Sequence, residues 1–243
     1  MMHPRLLGID GCRAGWIAIN VDERSSYVDV SPDLTTLYHR VPSARTWLID
    51  IPVGLPSPGI PRTLDAAVRR ALPGRASSVF PVPVRRAVHA GSGERGSLVN
   101  FEETGKKLSK QSQAILPKIR EADVFARRAH DVDMMESHPE FAFMHLNDGQ
   151  VVMTRKASRD GLEERLAILT RHHAQAVRIY ERVLRNTKRK YVARDDIVDA
   201  LCLAVTLQIS NGSPSFLTDG QTADAKGLPM RMGYADLKAN KKR

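Results

Sequence analysis

Three apolar runs at the start of the chain constrain its fold more than any other feature of the sequence. They read RLLGID, GWIAINV and SYVDVS, and only brief breaks that contain Gly or Ser separate them. Short apolar runs bounded by turn residues are typical of strands that follow one another in a meander. The sequence therefore predicts that the fold begins with antiparallel sheet.

The later runs predict strands that alternate with helices. Residues 33–45 indicate a short helix or an irregular crossover, TWLIDIPVGLP indicates a buried strand, and VDMMESHPEFAFMHL indicates another central strand. Residues 161–185 and 195–208 have helical periodicity. We therefore predict an α/β fold, in which a mixed sheet of an antiparallel meander and parallel strands is flanked by helices.

One segment has a different composition. Residues 56–130 are rich in Pro, Arg and Ser and predict a large inserted region of helices and loops over the sheet. Within it, GRASSVFPVPVRR indicates either an ordinary irregular loop or a lid that cradles an anion. Residues 236–243 form a basic tail, whose segment LKANKKR is predicted to fray. Because no internal repeat or clear linker is visible, we predict a single domain over residues 1–243.

Charge and cysteine content narrow the function classes. The formal net charge of +10 suits a polyanionic partner such as nucleic acid, although solvated surface charge is the alternative. No window of about 18 apolar residues exists, so we expect no membrane span and a cytoplasmic location. Cys12 and Cys202 are far apart and lack CxxC spacing. They are expected to be small buried residues, not part of a disulfide framework or a zinc site.

Acidic residues recur where apolar strands end. Asp10, Asp50 and Glu136 each follow an apolar step and precede a turn that contains Gly or Pro. If the three strands are neighbours, these carboxylates converge at one edge of the sheet, where open α/β sheets bind ligands. Hard oxygen ligands without cysteine favour Mg²⁺ or Mn²⁺ over zinc. Two such ions form the clamp used in phosphodiester cleavage.

The helix predicted over residues 195–208 carries further acids. Asp196 and Asp199 lie three residues apart and therefore share one face, so this helix can close the cluster. The plainer interpretation is that Asp195 caps the helix and that the macrodipole favours Asp196 in the first turn. Asp199 lies a turn further along, beside an apolar face, and is expected to border the core.

Six ordered blocks of the sequence resemble the signature blocks of the domain-of-unknown-function family 429. The blocks are GIDGCRAGW, IDIPVGLP, GRASSVFPVPVR, LPKIREAD, ESHPEFAF and DDIVDALCLA, and together they span roughly residues 5–210. This family is described as predicted nucleases of RNase H-like fold. The resemblance therefore implies an RNase H-like mixed sheet and a divalent-metal-dependent nuclease that acts on nucleic acid. More distantly, the first-strand aspartate and the DxxDA helix are similar to those of Holliday-junction resolvases.

The resemblance also implies roles for individual residues. Asp10 would bridge two metal ions from the first strand, and Asp50 would act from the fourth strand. Glu136 or Glu140 would be an auxiliary ligand, a general base or a partner for Arg13. Catalytic and metal-binding roles are thus predicted for Asp10, Asp50, Glu136, Asp196 and Asp199, with Mg²⁺ or Mn²⁺ as the cofactor.

Basic and hydroxyl side chains are candidates for binding phosphate groups, with solvated surface charge as the alternative for each cation. His138 could shuttle protons or be a hydrogen-bonded structural histidine. The predicted substrate-binding residues are Arg13, Arg75, Ser77, Ser78, Arg85, Lys118 and Lys156.

Two other functions stay open at this level. The chain could be a module of the same fold that binds nucleic acid without cleaving it. GIDGCRAGW is also similar to the first phosphate-binding hairpin of actin-like and sugar-kinase phosphotransferases, although no second hairpin is visible. The sequence leaves open whether the substrate is RNA, DNA, a hybrid or a junction, and whether the chain forms a homodimer.

Overall fold

Five strands form one mixed sheet in the computed structural model, which describes residues 5–22 and 26–240. The strands are β1 (Leu6–Cys12), β2 (Gly15–Val21), β3 (Ser26–Ser31), β4 (Thr46–Ile49) and β5 (Asp133–Glu136). Their order across the sheet is β3-β2-β1-β4-β5. β1, β2 and β3 form an antiparallel meander, and β4 and β5 run parallel to β1. The predicted α/β fold with a meander and parallel strands is confirmed.

Helices and a small second sheet complete the fold. The helices are α1 (Leu34–Arg40), α2 (Leu64–Ala71), α3 (Arg85–Val88), α4 (Gly93–Thr104), α5 (Lys110–Ala126), α6 (Pro139–Leu146), α7 (Arg159–His172), α8 (Ala176–Asn186), α9 (Arg194–Ile209) and α10 (Leu237–Asn240). The second sheet pairs β6 (Ser215–Leu217) with β7 (Met232–Tyr234) in antiparallel orientation. None of the helices within the described ranges is long and apolar enough to cross a membrane.

The two faces of the main sheet bury different sets of helices. On one face, residues such as Ile17, Ile19 and Leu48 pack with α6, α7, α8 and α9. On the other face, Ile9 and Trp47 pack with α1 and α5. This division follows from the two-residue period of a strand, which sends successive side chains to opposite faces. Both faces of the sheet are therefore covered, as expected for an α/β fold.

Helix α9 lies directly on β1 at Gly8. A Cβ atom on Gly8 would lie 2.1 Å from the backbone N of Ala204 and 2.4 Å from the carbonyl O of Ala200. Only a residue without a side chain allows α9 to lie this close to β1. This contact sets the position of the acidic first turns of α9 relative to the end of β1.

Residues 56–130, the region predicted as an insertion, contain α2, α3, α4 and α5. Ile119, Ala122 and Phe125 of α5 belong to the same buried cluster as Ile9 and Trp47. The rings of Trp47 and Phe125 are stacked with their centroids 5.0 Å apart. The last helix of this region therefore covers one face of the sheet. The limits of the insertion stay a prediction.

Two predicted elements differ from the structure. The central strand predicted through residue 146 ends at Glu136 and lies at the edge of the sheet, and α6 follows it. Pro139 occupies the first turn of α6, where its missing N–H has no helical partner to lose. The helix predicted over residues 161–185 is two helices, because His173 is extended at φ −144° and ends α7.

The other predictions for helices and cysteines agree with the structure. α1 lies within residues 33–45, and α9 covers the whole of residues 195–208. Cys12 and Cys202 are buried and free, as expected. The basic tail differs from the predicted frayed segment, because it forms α10 up to Asn240, and residues 241–243 lie outside the described residues.

Candidate metal centre

Asp10 and Asp50 lie side by side because β1 and β4 are parallel neighbours. Ile9 pairs with Ile49, and the backbone N of Asp50 donates a hydrogen bond to the carbonyl O of Ile9 at 3.0 Å. Each aspartate follows an isoleucine that faces α5, so each is placed on the side of the sheet that α9 covers. The two carboxylates therefore meet at the carboxyl end of the sheet.

Asp199 completes a cluster of three carboxylates. One carboxylate oxygen from each of Asp10, Asp50 and Asp199 lies within 4.8 Å of the others. Asp199 is almost fully buried, Asp10 is buried and Asp50 is partly exposed. The structure thus brings together three of the acids that the sequence singled out.

The cluster is electrostatically costly. Burial, followed by the charges of Asp50 and Asp199, raises the pKa of Asp10 well above its ordinary value. Burial also raises the pKa of Asp50 to about 6 and that of Asp199 to about 7, although the charge of Lys156 opposes both shifts. Carboxylates this close demand a compensating cation.

The free oxygen atoms of the cluster suit a hard divalent cation. Oδ1 of Asp199 is buried and has no hydrogen-bond partner among the described residues. Oδ2 of Asp199 accepts a hydrogen bond from Nζ of Lys156. Oδ1 of Asp10 accepts one from the backbone N of Gly11 at 2.6 Å. An unpaired buried carboxylate oxygen among converging oxygen ligands fits Mg²⁺ or Mn²⁺.

The side chain of Asp196 forms a hydrogen bond within the first turn of α9. Its Oδ2 accepts a hydrogen bond from the backbone N of Ala193 at 2.8 Å, so it caps the helix. It also lines the cleft beside the cluster, and burial raises its pKa. The cap predicted for Asp195 is therefore wrong, because Asp196 makes the capping hydrogen bond and Asp195 lies within the first turn. The predicted role of Asp196 as a metal ligand stays a prediction.

Glu136 is not brought into the cluster. Because Ile49 pairs with Glu136, the two-residue period places Glu136 on the face opposite Asp50. Its Oε1 accepts a hydrogen bond from Arg62 at 2.6 Å, and its Oε2 accepts one from the backbone N of Val53 at 2.8 Å. Glu136 therefore holds the turn after β4.

Glu140, in the first turn of α6, borders the cleft and is bound by two arginines. Nη2 of the buried Arg165 lies 2.7 and 2.9 Å from its two carboxylate oxygens, and Nη2 of Arg75 lies 3.0 Å from Oε1. Arg13, the partner considered from the sequence, is exposed on the cleft wall. Glu140 therefore fixes Arg75 against the cleft and packs the inserted region against α6.

The three carboxylates lie beside a cleft of about 670 Å³ whose walls carry cations. One wall comes from the loop after β1, another from the inserted region and a third from the start of α6. Predicted substrate-binding residues on these walls are Arg13, Arg75, Ser78, Lys118 and Lys156. His138 also borders the cleft.

Two of the predicted substrate-binding residues lie elsewhere. Arg85 forms ion pairs with the buried Asp123 and Asp224, so it ties α3 to α5 and to the loop before β7. Ser77 lines a neighbouring cavity within the inserted region. Both residues belong to the irregular segment predicted as an anion cradle, of which Arg75, Ser78 and Phe80 line the cleft.

Lys118 and His138 each contact a backbone carbonyl group of the protein. Nζ of Lys118 donates to the carbonyl O of Gly15 and lies 4.3 Å from the centre of the Trp16 ring. Burial lowers the pKa of Lys118 and of His138. Nε2 of His138 lies 3.2 Å from the carbonyl O of Ser78, while its buried Nδ1 has no partner among the described residues.

The comparison with known families decides the membership of the chain. The family model described as "Protein of unknown function (DUF429)" matches residues 8–222, which is most of the chain. The chain belongs to the DUF429 family. The matched range includes all three carboxylates of the cluster. No curated protein and no solved structure matches this DUF429 chain.

A second basic pocket of about 270 Å³ adjoins the cluster in this DUF429 protein and was not anticipated from the sequence. Arg159, Arg189 and Arg194 line it, together with Asp195. Lys156 lines both this pocket and the cleft. Arg189 and Arg194 are close in sequence, but Arg159 comes from the start of α7, so local spacing could not have shown that all three converge.

Proposed function

We propose that this DUF429 protein is a divalent-metal-dependent nuclease that hydrolyses phosphodiester bonds. The observation that carries the proposal is the group of three carboxylates, Asp10, Asp50 and Asp199, beside a cleft with cationic walls. Parallel strands β1 and β4 and the first turns of α9 supply these acids, an arrangement that the resemblance to RNase H-like nucleases implies. We infer the RNase H-like fold from the same arrangement.

Asp10, Asp50 and Asp199 would hold Mg²⁺ or Mn²⁺, with Oδ1 of Asp199 as the unpaired oxygen available to it. A bound divalent cation supplies a water molecule of lowered pKa and stabilises negative charge on phosphate oxygens. The protein itself would orient the phosphate group through Arg13 and Arg75 on the cleft walls.

The basic pocket supports a polymeric substrate. Arg159, Arg189 and Arg194 are exposed, and they lie next to the cleft across Lys156. A small phosphate ester would need only the cleft, whereas a nucleic acid presents further phosphate groups that can bind beside it. The net charge of +10 favours the same class of partner.

One observation favours a second function. The ion pair between Lys156 and Asp199 gives the carboxylates a cation from the protein itself. A module that binds nucleic acid without cleaving it could keep these carboxylates neutralised by Lys156 and would need no metal ion. This alternative predicts binding that needs neither Mg²⁺ nor Mn²⁺.

The test is a cleavage assay on labelled single-stranded, duplex, hybrid and four-way nucleic acids, with Mn²⁺, with Mg²⁺ or with EDTA. Asp10→Asn and Asp199→Asn should abolish cleavage that depends on metal. The matched control is Asp148→Asn, an exposed aspartate at φ 55°, a conformation that asparagine tolerates. Intact substrates with every metal, together with binding in EDTA, would support the second function instead.

A further inference from the structure

Lys156 enters the acidic cluster from the segment between α6 and α7. Its Nζ donates to Oδ2 of Asp199, and its charge also acts on Asp10 and Asp50. The side chain keeps about a third of its surface exposed, at 30%. The ammonium group therefore contacts Asp199 while part of the side chain remains open to solvent.

The other cations that line the cleft either bind groups outside the acidic cluster or are exposed to solvent. Nζ of Lys118 donates to the carbonyl O of Gly15, and Arg75 is bound to Glu140. Arg13 is exposed. Among the described residues, Lys156 is thus the cation whose ion pair reaches an acid of the cluster.

We propose that Lys156 is a built-in counter-cation that a divalent metal ion displaces from Asp199 when the metal centre forms. The inference rests on the proposed function, since it concerns the same three carboxylates. The ammonium group contacts Oδ2 of Asp199, whereas the metal ion would bind Oδ1 of the same carboxylate, and cations placed this close repel each other strongly when partly desolvated. Metal binding and the contact between Lys156 and Asp199 are therefore mutually exclusive.

Once displaced from Asp199, Lys156 would be able to bind phosphate groups. Its side chain borders both the cleft and the basic pocket of Arg159, Arg189 and Arg194. A lysine carries its charge on a flexible four-carbon stem, so the released ammonium group can turn toward either cavity without backbone movement. Metal loading would thus add one cation to the surface that binds phosphate groups.

The first experiment titrates the full-length protein with Mn²⁺ alone, by calorimetry, without nucleic acid. Lys156→Met removes the charge and keeps the length of the side chain. It should bind Mn²⁺ at least about tenfold more tightly than the wild type, because the competing cation is gone. Lys226→Met is the matched control, since Lys226 is exposed on the loop before β7. Its affinity should stay within about twofold of the wild type.

A second experiment uses the unmodified protein and does not depend on how a variant folds. Lysine side chains are acylated briefly in EDTA or in saturating Mg²⁺, and the modified sites are quantified by mass spectrometry. Acylation of Lys156 should be slow in EDTA and should increase several-fold with Mg²⁺. Lys226 is the internal reference, and its rate should not change.

The outcomes separate this inference from the proposed function. If Lys156→Met binds Mn²⁺ no more tightly than the wild type, or if Mg²⁺ leaves the acylation of Lys156 unchanged while Mn²⁺ binds, the counter-cation proposal is wrong. In that case the metal centre still stands, provided that Asp199→Asn loses Mn²⁺ binding. If neither the wild type nor Lys156→Met binds Mn²⁺, the metal centre itself is wrong, and this inference fails with it.

Discussion

Asp10, near the end of β1, and Asp199, in the first turns of α9, carry carboxylate oxygens that approach within 4.8 Å of each other, although 189 positions separate them in the sequence. The contact of α9 with Gly8 makes this approach feasible, because the helix backbone rests directly on the strand. The acids converge as a consequence of how one helix packs on one strand. The geometry of the site therefore depends on packing at Gly8, a residue that has no functional side chain.

Gly8→Ala should weaken the site without touching an acid. The added methyl group would overlap the backbone of Ala204, and overpacking of this kind costs about 1–3 kcal/mol. We expect a lower free energy of unfolding in urea and weaker Mn²⁺ binding, because α9 must move away from β1. Gly93→Ala is the control, since its new Cβ would meet atoms of Gln113 at 3.0 Å or more. An unchanged Mn²⁺ affinity in Gly8→Ala would contradict this account of the site.

Glu136→Gln should separate stability from metal binding. Glu136 forms an ion pair with the buried Arg62, and neutralising it removes one of the two carboxylates, with Asp65, that compensate this guanidinium. The free energy of unfolding should fall by about 1–3 kcal/mol, as is typical when a buried charged partner is lost. The Mn²⁺ affinity, measured by calorimetry, should stay close to that of the wild type. A large loss of Mn²⁺ affinity would instead make Glu136 part of the metal centre.

The basic pocket should contribute to nucleic-acid affinity through phosphate contacts. Arg189→Ala combined with Arg194→Ala should weaken binding at low salt and reduce the slope of log affinity against log salt concentration. For duplex DNA, each lost phosphate contact should change that slope by about 0.9. Binding is measured in EDTA, so that cleavage does not interfere. Arg95→Ala, an exposed arginine of α4, is the control and should leave the slope unchanged.

His145 should make the stability of the fold depend on pH. It lies against the rings of Tyr234 and Phe141, and burial lowers its pKa from 6.5 to about 4. The folded protein therefore holds a neutral imidazole, whereas the unfolded chain takes up a proton below pH 6.5. Stability from this group is fully present above pH 6.5 and is lost as the pH falls toward 4.

The variant His145→Gln cannot titrate and isolates this effect. Urea unfolding of both proteins is measured between pH 7 and pH 4. The free energy of unfolding of the wild type should fall relative to that of the variant as the pH decreases. Curves that stay parallel over the whole range would show that His145 is not responsible.

Local patterns in the sequence were sufficient to predict the mixed sheet and the proximity of two strand-end acids, Asp10 and Asp50. The three short apolar runs predicted the meander, and the strand-end positions of Asp10 and Asp50 predicted that they meet. The apolar run around Pro139 was misinterpreted as a strand, because short apolar runs do not distinguish a strand from a buried helix. Pro139 in fact begins α6.

The rest of the site depends on register and on contacts between distant segments. The face on which Glu136 lies is set by its pairing with Ile49, and a shift of one residue would reverse it. Arg85 pairs with Asp224, 139 positions away, so its place in the predicted anion-cradle segment was misleading. Lys156 gave no local signal that it would contact Asp199. Such pairings arise only when the helices pack together.

The most direct test of the account is anomalous diffraction from crystals of the full-length protein grown with Mn²⁺. We predict a manganese peak bounded by carboxylate oxygens of Asp10, Asp50 and Asp199, with Lys156 turned away from Asp199. The same peak should be lost in Asp199→Asn. Crystals that show no manganese among these three aspartates, with Lys156 still in contact with Asp199, would contradict the metal centre on which the proposed nuclease depends.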